Sequence, residues 1–125
     1  MNVILYLPPC ETAEKFESLI THNFARENIT IHHSINTFSR GLRHAFSKII
    51  GVILIHTQHD LAEVLRLRDA IWSIRTILIL PDSSPETVAC GHSMRPRFLT
   101  FQDGDLNEVV TVLQRMIGTP VVPLN

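Results

Sequence analysis

Gly51-Val52-Ile53-Leu54-Ile55-His56 decides the fold. Gly51 closes whatever helix precedes it, and four consecutive aliphatic residues follow with no polar residue among them. A run this short is strand-length, and an unbroken apolar run marks a strand covered on both faces. Such strands belong to parallel sheets, because the helices of the crossover connections lie over both sides of the sheet. Two further stretches read the same way. Val3-Ile4-Leu5-Tyr6-Leu7 is closed by Pro8-Pro9, and Ile77-Leu78-Ile79-Leu80, led in by Arg75-Thr76, is closed by Pro81-Asp82.

Ile29-Thr30-Ile31-His32-His33 alternates more and reads as a strand nearer the sheet edge. Phe98-Leu99-Thr100-Phe101 is a fifth, shorter strand. Helix-length amphipathic stretches separate these runs. Thr12 to Phe24 carries Ala13, Phe16, Leu19, Ile20 and Phe24 near helical spacing, with Thr12 as N-cap. Ser39 is expected to cap a second helix bearing Leu42, Phe46 and Ile49. Asp60-Leu61-Ala62-Glu63 has the form of a capping box and opens a third helix running through Trp72, with Leu61, Val64, Leu65, Arg68, Ile71 and Trp72 near one face. Ser84-Pro85 is an N-cap followed by proline at the first helical position. Gly91 is expected to interrupt that fourth helix and Pro96 to end it. Asp105-Leu106-Asn107-Glu108 repeats the capping-box form and opens a fifth helix to about Ile117, with Val109, Val112, Leu113 and Met116 inward and Gly118 as C-terminal stop.

Alternation of five strands with five helices predicts an α/β domain over residues 1–118. Right-handed crossovers put helices on both faces of a parallel sheet. Residues 119–125, with Pro120 and Pro123, read as a tail or linker. The chain has 125 residues, of which 45% are hydrophobic and 18% charged, enough apolar surface for one packed core and too little charge for a disordered segment. Eleven Lys and Arg balance twelve Asp and Glu, for a formal charge of -1. No basic footprint for nucleic acid or an anionic membrane follows from that balance. Cys10 and Cys90 form no disulfide framework, which favours a reducing, cytoplasmic setting. Met1 to Leu7 lacks a basic flank, and no apolar run reaches the roughly 18 residues of a spanning helix.

A (βα)5 chain of this length resembles the flavodoxin-like group, a three-layer sandwich with strand order 2-1-3-4-5. Within that group it resembles the receiver domains of two-component response regulators over Asn2 to Gly118. The local match is Gly51 to His56, which lies like the third receiver strand, the strand that ends in the phosphoacceptor aspartate. Receiver chemistry needs clustered carboxylates to hold Mg²⁺ through oxygen ligands and to neutralise the phosphoryl group. Each position implied by the resemblance departs here. The first strand ends in Leu7-Pro8-Pro9, His56 stands at the phosphoacceptor's place, Pro81 replaces the Thr or Ser after the fourth strand, and Phe101-Gln102 replaces the lysine after the fifth. The resemblance therefore implies a pseudo-receiver in bacterial signalling, without aspartyl phosphorylation, catalytic residues, metal or cofactor. It would contact a protein partner, an output domain or a second copy of itself through the fourth helix, fifth strand and fifth helix, Pro85 to Met116.

Other constellations compete. Ligands of open parallel sheets bind outside the carboxyl ends of the strands. There Cys10, His56, Thr57, His59, Asp60 and Asp82 form a candidate ligand edge, and Cys10, His56, His59 and Asp82 are acceptable zinc ligands. The alternative function is thus a small metal- or ligand-binding protein or enzyme using His56, His59 and Asp60. The simpler reading makes Gln58 and His59 solvated and Asp60 a helix cap. Asp60 as a displaced phosphoacceptor has no acid after the first strand to work with. Cys90-Gly91-His92 suggests a nucleophile and base, but adjacent residues rarely face one substrate, and packing of Cys90 is the better account. His32 and His33 point to opposite faces of a strand and cannot share an ion. Five singly scattered glycines make no phosphate-cradling loop, and Pro8-Pro9-Cys10-Glu11-Thr12 is unsuited to a flavin phosphate. Arg66, Arg68, Arg75, Arg95 and Arg97 read as a solvated face in preference to a partner-binding patch, and Trp72 as core or half-buried in preference to an interface anchor.

Overall fold

The computed structural model describes residues 2–44 and 48–118. It contains a five-stranded, all-parallel sheet in the order β2-β1-β3-β4-β5, built from β1 (Asn2–Tyr6), β2 (Ile29–His32), β3 (Ile49–Leu54), β4 (Arg75–Leu80) and β5 (Phe98–Phe101). The predicted α/β fold with strand order 2-1-3-4-5 is therefore present. Central β3 is buried along its whole length and pairs with β1 (Tyr6 beside Ile53) and with β4 (Leu54 beside Ile79). Edge strand β2 is only partly covered, as its alternating sequence implied.

The helices are α1 (Glu11–Asn23), α2 (Ile35–Arg43), α3 (Gln58–Leu65), α4 (Arg68–Trp72), α5 (Pro85–Ser93) and α6 (Leu106–Ile117). Strand alternation splits the core in two. Val3, Leu5, Val52, Leu54, Ile77 and Ile79 pack against α1 and α6 through Phe16, Ile20, Val109, Val110 and Leu113. Ile4, Tyr6, Ile53, Ile55, Leu78 and Leu80 pack the other way, against Phe38 and Leu42 of α2, Leu61 and Val64 of α3 and Ile71 of α4. These are the three layers of a flavodoxin-like sandwich.

Helix starts differ from expectation where two cap-competent residues compete. Cys10, not Thr12, caps α1, its Sγ accepting from the Ala13 N–H at 3.4 Å. Ser34, not Ser39, caps α2 through the Thr37 N–H at 3.2 Å. The earlier start places Phe38 and Leu42 one turn apart on the core face, with Ser39 buried inside the helix. Arg43 then ends α2, so Ile49 belongs to β3, and Phe46 lies outside the described residues. Thr57, not Asp60, is the N-cap of α3. Asp60 is the third helical residue and closes the reciprocal box, its carboxylate accepting from the Thr57 N–H at 3.2 Å. Asp105 does cap α6, but it accepts from Asn107 at 2.9 Å rather than from Glu108.

The predicted third helix is two helices. Tight bonds from Arg66 N–H to the Glu63 carbonyl and from Leu67 N–H to the Val64 carbonyl close α3, and non-helical Leu67 starts α4. The apolar stripe runs in register through both, so it gives no reason for the break. Gly91 does not interrupt α5. A Cβ there would lie 2.8 Å from Leu99 Cδ1 and 2.9 Å from Leu80 Cδ1, so glycine lets the helix close on β4 and β5. Gly118 ends α6 at φ 68° in the left-handed region, as its C-terminal position implied. Trp72 is half-buried rather than core, at 40% exposed. No helix among the described residues is long and apolar enough to cross a membrane. The tail, 119–125, lies outside the described residues.

Candidate functional site at the carboxyl edge of the sheet

The chain reverses its direction of sheet growth between β1 and β3, and the crevice beyond their carboxyl ends is where open α/β sheets take ligands. β1 brings Tyr6 to this rim, followed by buried Leu7 and Pro8. β3 brings His56 and Thr57, β4 brings Pro81 and Asp82, and β5 brings Gln102.

Two side-chain clasps fasten the rim. In the first, the Gln102 amide nitrogen donates to the His56 and Pro81 carbonyls, both at 3.2 Å, while its Oε1 lies 2.9 Å from His56 Nδ1. Two carbonyl acceptors fix the amide nitrogen on their side, so the oxygen must face the imidazole. An amide oxygen only accepts, so His56 carries its proton on Nδ1 when neutral. In the second clasp, Gln58 donates to Asp82 Oδ2 at 2.9 Å and to the Thr87 hydroxyl at 3.0 Å. The Ser84 hydroxyl donates to buried Thr87 at 2.9 Å, and the Ser84 N–H donates to the other Asp82 oxygen at 3.0 Å. Bonds from the Ser84 backbone first, then from side chains including Ser84, Thr87 and Gln58, hold the Asp82 carboxyl below its usual range.

The candidate residues do not converge as one group. Asp82 joins the Gln58 clasp, and Asp60 is engaged by its own N-cap. His59 is exposed and lies 3.9 Å from Glu63 one turn along α3. The Cys10 thiol is occupied in capping α1. Gln58 is not a free loop residue, because it ties α3 to the start of α5. Among the described residues, no three His, Cys, Asp or Glu side chains are grouped to hold one metal ion. His32, which ends β2, and His33, which follows it, have separate partners. His33 Nδ1 sits 3.1 Å from the Leu7 carbonyl, and His32 packs edge-on to Phe38. Cys90 packs partly buried against the α2–α5 side of the core, while His92 is exposed. A cavity of about 480 Å³ lies at the opposite, amino end of the sheet, between Ile49, Ile74, Arg75 and Met116, away from these residues.

No family model, no curated protein and no solved structure matches the chain.

Tyr6, the chain's single tyrosine, reports on the rim. Burial first, then the charges of Asp60, Glu63 and Cys10, push its hydroxyl up from 10.0 to about 12. The folded state thus resists ionisation that the unfolded chain accepts. The stabilisation is complete below pH 10 and drains away as pH rises toward 12, because over that interval only the unfolded chain sheds the proton. Phenolate absorbance of the native chain is expected to rise with a midpoint near pH 12, against about pH 10 in denaturant. A native midpoint at 10 would mean that water reaches the hydroxyl freely.

Proposed function

We propose that this chain is a receiver-like signalling module of the two-component type, working in the cytoplasm through protein contacts and without aspartyl phosphorylation. The observation that carries the proposal is the His56–Gln102 clasp. By the resemblance, these residues stand where a receiver has its acceptor aspartate and its lysine. Here they form a hydrogen-bonded pair at 2.9 Å, an imidazole and an amide in place of a carboxylate and an ammonium group. Around the pair, β1 ends in Tyr6-Leu7-Pro8-Pro9, and Asp60 and Asp82 are spent on local hydrogen bonds. A divalent ion needs several oxygen ligands converging on one point, and a phosphoryl group needs its charge neutralised. Partner contacts are assigned to the face made by α5, β5 and α6, Pro85 to Met116, either to an output domain or to a second copy.

Incubation with acetyl phosphate and Mg²⁺ is expected to leave the intact mass unchanged, and a stoichiometric phosphoryl gain would overturn the proposal. His56→Asp sharpens the test. It restores a carboxylate at the acceptor's place but supplies no acid after β1, so its mass is also expected to stay unchanged. Phosphorylation of that single variant would show that the rim needs no second acid.

A further inference from the structure

The amino end of the sheet carries a feature that the clasps and the phosphoryl question leave unused. Trp72, the chain's single tryptophan and the large hydrophobic side chain left exposed among the described residues, ends α4. Its indole N–H donates to the Ser93 carbonyl at 3.0 Å, which fixes the ring against the end of α5. The Arg95 guanidinium lies 4.2 Å from the ring centroid and that of Arg68 5.7 Å. Arg68 precedes Trp72 by four residues and Asp69 precedes it by three, so both neighbour the indole along α4 and the site carries one acid beside its two arginines. Among the described residues neither arginine is in an ion pair, so both keep free donors beside an anchored, half-exposed indole.

The backbone singles out the same place. Arg95 is the non-glycine residue with positive φ among the described residues, at 56°. It stands just past the end of α5, where glycine is the unstrained choice. Arginine there keeps a strained backbone and gains a guanidinium over the indole. Tryptophan and arginine are the residue types that anchor interfaces, and arginine forks match carboxylates.

We propose that Trp72, Arg68 and Arg95 form a docking site for an acidic peptide segment of a partner protein, its carboxylates on the two arginines and an apolar side chain on the indole. This names the partner's chemistry, places its contacts on α4 and the end of α5 rather than over the whole α5, β5 and α6 face, and rests on the reading of the chain as a protein-contact module. The site lies at the sheet end remote from His56, so the acetyl phosphate result neither makes nor breaks it.

Tryptophan emission of the full chain, titrated with a Glu- and Asp-rich peptide that contains leucine and lacks tryptophan, tests the site directly. The expected result is a saturable change that weakens several-fold as salt is raised and is absent with a Lys-rich peptide of equal length. Arg95→Gly suits the left-handed backbone and so keeps the fold, yet it is expected to weaken binding about tenfold, as is Arg68→Gln. No saturable change, or equal binding by both variants, overturns the site. So does tighter binding of a single-stranded oligonucleotide, or an emission change that follows protein concentration without peptide and marks self-association.

Discussion

Phe38→Ala is expected to destabilise the chain by about 3–5 kcal/mol, the usual loss for truncating a fully buried aromatic side chain. Phe38 is wholly buried on α2, its ring 5.7 Å from that of Tyr6 and 6.1 Å from that of His32. Alanine leaves a void between α2 and β1 and removes the cover from two titratable groups at once. The Tyr6 midpoint is then expected to fall from about 12 toward 10. His32 moves the opposite way. Burial first, then His33 and Arg40, hold its pKa below 6.5 in the folded chain, so its contribution is complete above pH 6.5 and is lost as pH falls through the folded value. Uncovering it shrinks that acid-side loss. Urea unfolding at neutral pH reads the first effect, and tyrosinate absorbance with imidazole proton shifts reads the others. A loss below about 1 kcal/mol with both midpoints unmoved would mean that α2 does not seat on β1 through this ring.

Much of the architecture was legible because sheet burial writes itself into short, uninterrupted runs. Val3 to Tyr6, Val52 to Ile55 and Ile77 to Leu80 have no polar residue to spare for a wet face, and all three lie inside the sheet or at its rim. Helix starts were less legible, because capping is a competition between nearby side chains. Thr57 and Asp60 can each cap, and the answer is that both act in one box, with the threonine first. Ser34 and Ser39 pose the same choice, decided by which start turns Phe38 and Leu42 toward the core. Trp72 takes the half-buried branch of its reading because adjacent helical residues differ by about 100° and only one can centre on the stripe, and Ile71 takes that place. The rim was least legible. His56 was marked by its position after β3, but its partner Gln102 is 46 residues away, and Gln58 reaches Asp82 across 24. No local pattern announces a glutamine whose partners depend on how strand ends line up.

Gln102→Leu is expected to cost about 1–3 kcal/mol, because the apolar side chain keeps the volume while two carbonyls and one imidazole lose their partner together. The backbone bond from the Gln102 N–H to the Leu80 carbonyl survives, so β5 stays paired and the loss is assignable to the amide. Gln102→Glu separates the two halves of the clasp. Its carboxylate can still accept from His56 Nδ1–H, but it cannot donate to the His56 and Pro81 carbonyls and faces their oxygens instead. It should therefore keep His56 protonated on Nδ1 while still losing stability, whereas the leucine variant should release the tautomer. Imidazole nitrogen shifts read the tautomer and urea unfolding reads the energy. If the leucine variant is as stable as the parent and the tautomer does not change, the clasp is not made, and the His56–Gln102 pair on which the proposed signalling role rests is lost with it.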